Sequence, residues 1–191
     1  DLGMNDHLTA EFTWNDDKKY QLGKVLSAQE LDELENYGRY LDVDNDGICY
    51  RTLPGTHPDK GAFFTRGTSR NHYAGYTEKP ADYVDNMQRL EKKMLMAANQ
   101  VPEPEIVQVK KPAKIALIYF GTTSHAIEEA TAQLKEHGLS CDTLRLKAFP
   151  FNQQVLAFIE CHPNVYVLEQ NRDGQMRSLL INELAIDPAK L

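Results

Sequence analysis

Residues 114–191 alternate apolar runs of strand length with segments of helical period, and this alternation limits the fold more than any other feature of the chain. "KIALIYFG", "CDTLRLK" and "VYVLEQ" read as buried strands; residues 124–137, 152–161 and 175–184 read as helices, the first ended by Gly138. Strands separated by helices of about ten residues or more are not hairpins, so they pair in parallel through right-handed crossovers. The expectation is an α/β fold with a small parallel-sheet domain, which places ligands at the carboxyl ends of its strands.

Two segments fall at those ends. "FGTTSHA" can gather Gly121 and the backbone N–H groups of Thr122, Thr123 and Ser124 around an anion, or be an ordinary strand-to-helix turn with a hydroxyl cap. His125, just inside that helix, is expected at the surface. "LEQNRDGQM" brings Glu169, Asn171, Asp173 and Gln175 to the end of the third strand. A carboxylate and amides there suit a partner's backbone or a polar ligand; the alternative is a tight turn over residues 171–174 with Asp173 or Gln175 capping the last helix.

Residues 1–98 read as an irregular segment of helix and loop. Residues 1–23 are polar, with Phe12, Trp14 and Tyr20 as aromatic anchors. Ser27 predicts an N-cap for a helix through residue 41, with Glu30 completing a capping box and Leu31, Leu34 and Tyr37 or Tyr40 as its apolar stripe. Asp42, Asp44, Asp46 and Gly47 then match the first half of an EF-hand calcium loop. The match stops short, because the position that should carry a bidentate Glu is Leu53, and Pro54 and Gly55 oppose a following helix. Either the three carboxylates hold an adventitious cation such as Ca²⁺, or they form an Asx-rich turn that aims Arg51 and the loop behind it.

That loop, "YRTLPGTHPDKGAFFTRGTSRNHYAGY", is too long and too rich in Gly, Pro and Thr for regular structure. It is also basic in a chain of net charge -7, since Arg51, His57, Lys60, Arg66, Arg70 and His72 face only Asp59. Arginine forks suit carboxylates and phosphates, so the loop is a candidate site for an anion; equally, its arginines and histidines can tie it to its own scaffold. Thr77 and Pro80 open the next helix, where Tyr83, Met87, Leu90, Met94 and Leu95 make an amphipathic stripe read as packing. Residues 99–113 read as an extended linker.

Composition closes several classes. With 41% hydrophobic residues in 191, the chain can build one or two cored domains, and its acidity argues against a nucleic-acid partner. No apolar run has the length of a membrane span, so no membrane partner is expected. Cys49, Cys141 and Cys161 lie far apart without a C-x-x-C pair, which suits a reducing cytoplasm and gives no usual iron–sulfur spacing. No H-E-x-x-H and no Ser/His/Asp spacing appears. The chain opens at Asp1 without Met and is read as the C-terminal piece of something longer.

In order, "DLGMND", "PGTHPDKGAFFTRGTSRNHYAGYTE", the helix start "GTTSHAIEEA", "KAFPF" and "VYVLEQNRDGQMRSLL" resemble the C-terminal half of the alpha subunit of 2-oxoacid:ferredoxin oxidoreductases, most nearly the 2-oxoglutarate type. The resemblance implies a thiamine diphosphate enzyme that decarboxylates a 2-oxo acid, passes electrons through a [4Fe–4S] cluster to ferredoxin and gives the acyl group to coenzyme A. It implies that residues 1–98 hold the end of the pyrimidine-binding thiamine domain with a long loop and helix, and that residues 114–191 are similar to the C-terminal domain of transketolase. It also implies that cofactor and substrate contacts lie upstream, while diphosphate, Mg²⁺ and cluster ligands lie in the beta subunit. This piece would then carry no catalytic residue and no activity alone, with Arg51, His57, Arg66 and Arg70 facing the substrate, coenzyme A or the beta subunit. The turns at Gly121, Thr122, Thr123, Ser124, Glu169, Asn171 and Gln175 would serve as interface or ligand turns. A non-catalytic α/β partner-binding module and a calcium module are the alternatives.

Overall fold

The computed structural model describes residues 11, 13–64, 69–109 and 113–191. Its chain divides into two compact units, one built on Ala98–Leu191 and one on Phe12–Ala97. Strands β1 (Glu105–Val107), β2 (Ile115–Tyr119), β3 (Cys141–Arg145) and β4 (Asn164–Leu168) of the first unit form one sheet in the order β1-β3-β2-β4. β2 pairs in parallel with β3 and β4, whereas β1 runs antiparallel along β3. The expected parallel sheet is present, and the segment expected to be a linker adds the antiparallel edge strand. Glu105 anchors that edge by ion pairs to Arg145 and Lys147, at 3.2 and 3.0 Å.

Apolar residues on both faces of the central strands explain the layering. Ala116, Ile118 and Leu144 are fully buried with Val155, Phe158 and Ile159 of α4 (Gln153–Cys161) and Leu180 of α5 (Gln175–Leu184). On the other face Leu117, Tyr119 and Cys141 pack with Ile127 of α3 (Ile127–Glu136). Since strands buried on two faces read as continuous apolar runs, "IALIY" was legible as such. The helix expected over residues 124–137 is broken in two: a 3₁₀ turn, Gly121–His125, precedes α3. Asn152 caps α4 by accepting from the Gln154 N–H, as a helix start there requires.

Inside this core lies a polar pair. Asp142 and His162 are only 2% and 3% exposed, and Asp142 Oδ2 is 3.0 Å from His162 Nε2. His162 Nδ1 faces the Phe158 carbonyl at 2.7 Å, and since a carbonyl cannot donate, that nitrogen carries a proton. Asp142 Oδ1 accepts from the Val109 N–H at 2.8 Å. One pair thereby fixes β3, the end of α4 and the chain beyond β1.

The second unit has little regular structure. The capping box is present, with Ser27 and Glu30 exchanging bonds, but α1 is short, Ala28–Glu33, and does not run to residue 41. Leu34 is already extended, and the Lys60 ammonium donates to the carbonyls of Leu31, Asp32 and Leu34 at 3.1–3.2 Å. A cation on the last carbonyls ends the helix where apolar spacing alone would have continued it. Leu31 is its fully buried residue, while Tyr37 and Tyr40 belong to the following loop.

Helix α2 (Pro80–Ala97) begins at the expected proline, with Thr77 accepting from the Lys79 N–H. Its stripe does not pack as expected. Tyr83, Met87, Leu90, Met94 and Leu95 are all exposed, and the helix has no buried residue. The polar face faces the unit instead: Asp82 accepts from Thr77, Asp85 meets His72, Asn86 donates to the Arg70 carbonyl, and Lys92 reaches Asn45.

Candidate functional site

The crossover pattern produces the first candidate. The chain leaves β2 toward β3 on one side and later returns to β4 on the other, so the connections diverge at the carboxyl ends of β2 and β4. Open α/β sheets hold ligands at such a switch point. A cleft of about 520 Å³ lies there, lined by Phe120, Gly121, Thr122, Thr123, Gln170, Asn171, Gln175, Met176 and Leu179. Gly121 turns the chain at φ +58°, a region a side chain rarely enters.

The far wall is set by Glu169. Its carboxylate accepts from the Met176 N–H at 2.9 Å, the Arg177 N–H at 3.1 Å and the Asn171 amide at 2.5 Å. Asn171 Oδ1 in turn accepts from the Gln175 N–H at 3.1 Å. The expected cap by Asp173 or Gln175 is thus replaced: Gly174 is the N-cap residue with no side-chain bond, Asp173 pairs with Arg172, and Glu169 reaches forward to the helix start. Partial burial works against the Glu169 charge, but the N–H donors outweigh it and hold the carboxyl below its ordinary range. A carboxyl with a lowered folded pKa stabilises the fold above its unfolded value, and that contribution is lost as pH falls through the folded value. Glu169→Gln is therefore expected to lower the melting temperature at neutral pH and to leave a shallower loss of stability below about pH 4 than in the unmutated chain; thermal unfolding across pH measures both.

Among the turn residues, Ser124 Oγ donates to the Gly121 carbonyl at 2.8 Å, and Gln170 Nε2 donates to Thr122 Oγ1 at 3.2 Å. Among the described residues, no charged side chain lines the cleft. The anion reading of "FGTTSHA" therefore finds backbone donors without a cation. His125 is exposed, as expected.

The basic loop separates into scaffold and residue. His57 Nδ1 accepts from the N–H groups of Asp59 and Lys60 at 3.0 and 2.8 Å, so Nε2 carries the proton and donates to Asp32 at 3.0 Å. With both nitrogens engaged, His57 braces the loop, as Lys60 does through α1. His72 pairs with Asp85 at 2.6 Å. Arg51 commits its backbone to Lys24 and Leu26 and leaves its side chain exposed. Arg66 lies outside the described residues, as do Phe12 and "DLGMND". Arg70 differs from the rest. It is 7% exposed, donates from Nη1 to the Ser69 carbonyl and lies 5.7 Å over the Tyr76 ring. Its Nε and Nη2, with Ser69 Oγ beside them, have no hydrogen-bond partner among the described residues.

The aspartate loop is organised by backbone and by lysine. Asp42 accepts from the N–H groups of Asp46 and Gly47, and Asp46 from that of Ile48. The carboxylates come within 4.8 Å of one another, yet the Lys24 ammonium sits 2.7 Å from both Asp44 oxygens and from Asp46 Oδ2. Lys24, with Ile48 next, holds the Asp46 carboxyl below its usual range. These groups form an Asx turn, the second of the two expected readings, and their counter-charge is a side chain of the same unit; the three carboxylates keep a metal-like spacing, and no further observation supports Ca²⁺ there.

The cysteines among the described residues are not grouped as an iron–sulfur cluster requires. Cys141 is buried in β3, Cys161 is exposed at the end of α4, and Cys49 belongs to the other unit. Among the described residues, the aspartate trio is the one His/Cys/Asp/Glu group with metal-like spacing. Among the described residues, no helix is long and apolar enough to cross a membrane.

No family model matches the chain. It is 28% identical over 170 residues, 87% of its length, to the alpha subunit of 2-oxoacid:ferredoxin oxidoreductase 2 of Aeropyrum pernix, covering 25% of that protein. It is 22% identical over 182 residues to the alpha subunit of the Saccharolobus solfataricus 2-oxoacid:ferredoxin oxidoreductase, covering 89% of this chain and 26% of that one. In fold it is similar to a solved structure of 2-oxoglutarate:ferredoxin oxidoreductase from Magnetococcus marinus with 2-oxoglutarate, coenzyme A and succinyl-CoA bound. The TM-score is 0.69 at 23% identity, over 80% of this chain and 26% of that chain. The chain spans about a quarter of the length of these curated relatives. Over most of its length the chain is thus similar to a portion of the alpha subunits of 2-oxoacid:ferredoxin oxidoreductases.

Proposed function

We propose that the chain serves in a thiamine diphosphate-dependent 2-oxoacid:ferredoxin oxidoreductase, with 2-oxoglutarate as the oxo acid and coenzyme A as acyl acceptor, and that this portion is chiefly architectural. The observation that carries the reading is the alignment along 87% of the chain with an alpha subunit of that activity. The role in this reading is one of assembly, with thiamine diphosphate, Mg²⁺ and the [4Fe–4S] cluster held elsewhere in the complex. In this reading the sheet unit plays the part of a transketolase C-terminal-like domain docking the beta subunit, and ferredoxin is met through the complex.

Arg70 supports a second element of the reading. A buried guanidinium with unpartnered N–H groups is costly, and an anion or carbonyl from outside the unit would relieve it. Arg66, four residues earlier in the basic loop, is assigned the same role toward the oxo acid, coenzyme A or the beta subunit.

The test is kinetic. Co-produced with the remaining alpha-subunit sequence and a beta subunit, the complex should reduce a low-potential acceptor with 2-oxoglutarate and coenzyme A, while the 191-residue chain alone should not. Arg66→Ala should raise the KM for the oxo acid or coenzyme A about tenfold, the loss of one charge-assisted contact. Activity with another oxo acid and none with 2-oxoglutarate would overturn the substrate assignment. Unchanged kinetics in an intact Arg66→Ala complex would leave the loop as scaffold.

A further inference from the structure

The cleft at the ends of β2 and β4 has a composition that selects its ligand. Its volume, about 520 Å³, falls within the range of small-molecule sites. Phe120, Met176 and Leu179 supply apolar surface, while Thr122, Thr123, Gln170 and Gln175 supply hydroxyls and carboxamides. Two of these polar side chains, Thr123 and Gln175, make no hydrogen bond to the described residues, and Gln170 uses only its Nε2. The site therefore offers free donors and acceptors in pairs beside a ring and a thioether.

An anion is disfavoured there. Among the described residues no cationic side chain lines the cleft, and the N–H groups at the start of α5 are already taken by the Glu169 carboxylate, which adds a negative charge at the rim. A peptide strand is disfavoured as well, because strand addition uses the long edge of a sheet and this cleft opens at strand ends. What remains is a neutral planar group with both donors and acceptors on its edge. Nucleobases have that character: glutamine and asparagine amides pair with their edges in bidentate fashion, and their faces stack on aromatic rings.

We propose that this cleft is a binding site for the base of a nucleoside or nucleotide, seated on Phe120, Met176 and Leu179 and read by Gln170, Gln175 and Thr123. The volume exceeds that of a base and leaves room for a pentose at the mouth. The site uses only residues of the sheet unit, so the proposal stands independently of the oxo-acid reading.

The experiment titrates the ¹⁵N-labelled 191-residue chain with adenosine, guanosine, cytidine and uridine, and separately with inorganic phosphate, following amide resonances. At least one nucleoside is expected to shift the side-chain amides of Gln170 and Gln175 and the backbone of Thr123 saturably, and phosphate to leave them in place. Gln175→Ala, an exposed position, should weaken that nucleoside about tenfold, as should Thr123→Val. The proposal is overturned if no nucleoside moves these resonances at about 10 mM, a ceiling far weaker than ordinary site affinities. It is equally overturned if phosphate moves them, or if both variants bind as tightly as the unmutated chain.

Discussion

Asp142→Ala is expected to cost the sheet unit about 3–5 kcal/mol, the loss typical of a buried pair deprived of one member. The size follows from what is left behind. His162 would keep a ring nitrogen facing an apolar gap, and the Val109 N–H would lose its acceptor, both within a core where Asp142 and His162 are 2% and 3% exposed. Small domains are stable by only about 5–15 kcal/mol, so the variant approaches the unfolding threshold. Urea unfolding followed by far-ultraviolet circular dichroism measures the change. Asp142→Asn separates hydrogen bonding from charge: its carbonyl can still accept from Val109 and its amide can donate to a neutral His162. The expected loss is then nearer about 1 kcal/mol. Equal losses in the two variants would mean that charge, and not satisfied hydrogen bonding, holds the core together.

Gly47→Ala should be comparably damaging to the other unit. Gly47 has φ +81°, and an added Cβ would lie 2.4 Å from Lys93 N, 2.8 Å from Arg89 O and 2.9 Å from Lys92 C. All three are backbone atoms of α2, which cannot yield as a side chain tip would. Left-handed strain and overpacking each cost about 1–3 kcal/mol, giving roughly 2–6 kcal/mol together. Gly55→Ala is the control, because φ is +80° there and no atom lies within 4 Å, leaving only the backbone cost of about 1–2 kcal/mol. Hydrogen exchange should show α2 losing protection in Gly47→Ala and keeping it in Gly55→Ala. Equal protection in both would show that α2 does not depend on this contact.

The aspartate loop illustrates how far the sequence could be read. Its spacing correctly announced a tight turn around Gly47, because carboxylates two residues apart are placed to accept from nearby N–H groups. The spacing could not reveal that Lys24, twenty residues upstream of Asp44, supplies the counter-charge at 2.7 Å. The same limit explains α1. Ser27 and Glu30 fix its start locally, but its end depends on Lys60, which no window around residue 34 contains. Glu169 was read as part of a ligand turn, and its reach to Met176 and Arg177 across a glycine turn gave no periodic signal. Asp142 and His162 were not singled out at all. The one available sign was an aspartate inside the otherwise apolar run "CDTLRLK", which a buried strand tolerates only when the charge is matched.

By itself the sequence determined the order of strands and helices after residue 114, the capped start of α1, the glycine turns and the family resemblance. These are properties of short windows, set by apolar period, by side-chain caps and by the φ freedom of glycine. Only the tertiary structure decided that the expected linker contributes an antiparallel edge strand, that α2 turns its polar face to its own unit, and that Arg70 is buried with two of its guanidinium nitrogens unpartnered among the described residues. It also decided that the two ligand turns line one neutral cleft. Each of these depends on groups brought together by folding from distant positions, and the burial and hydrogen bonding that set their chemistry exist only once those groups meet.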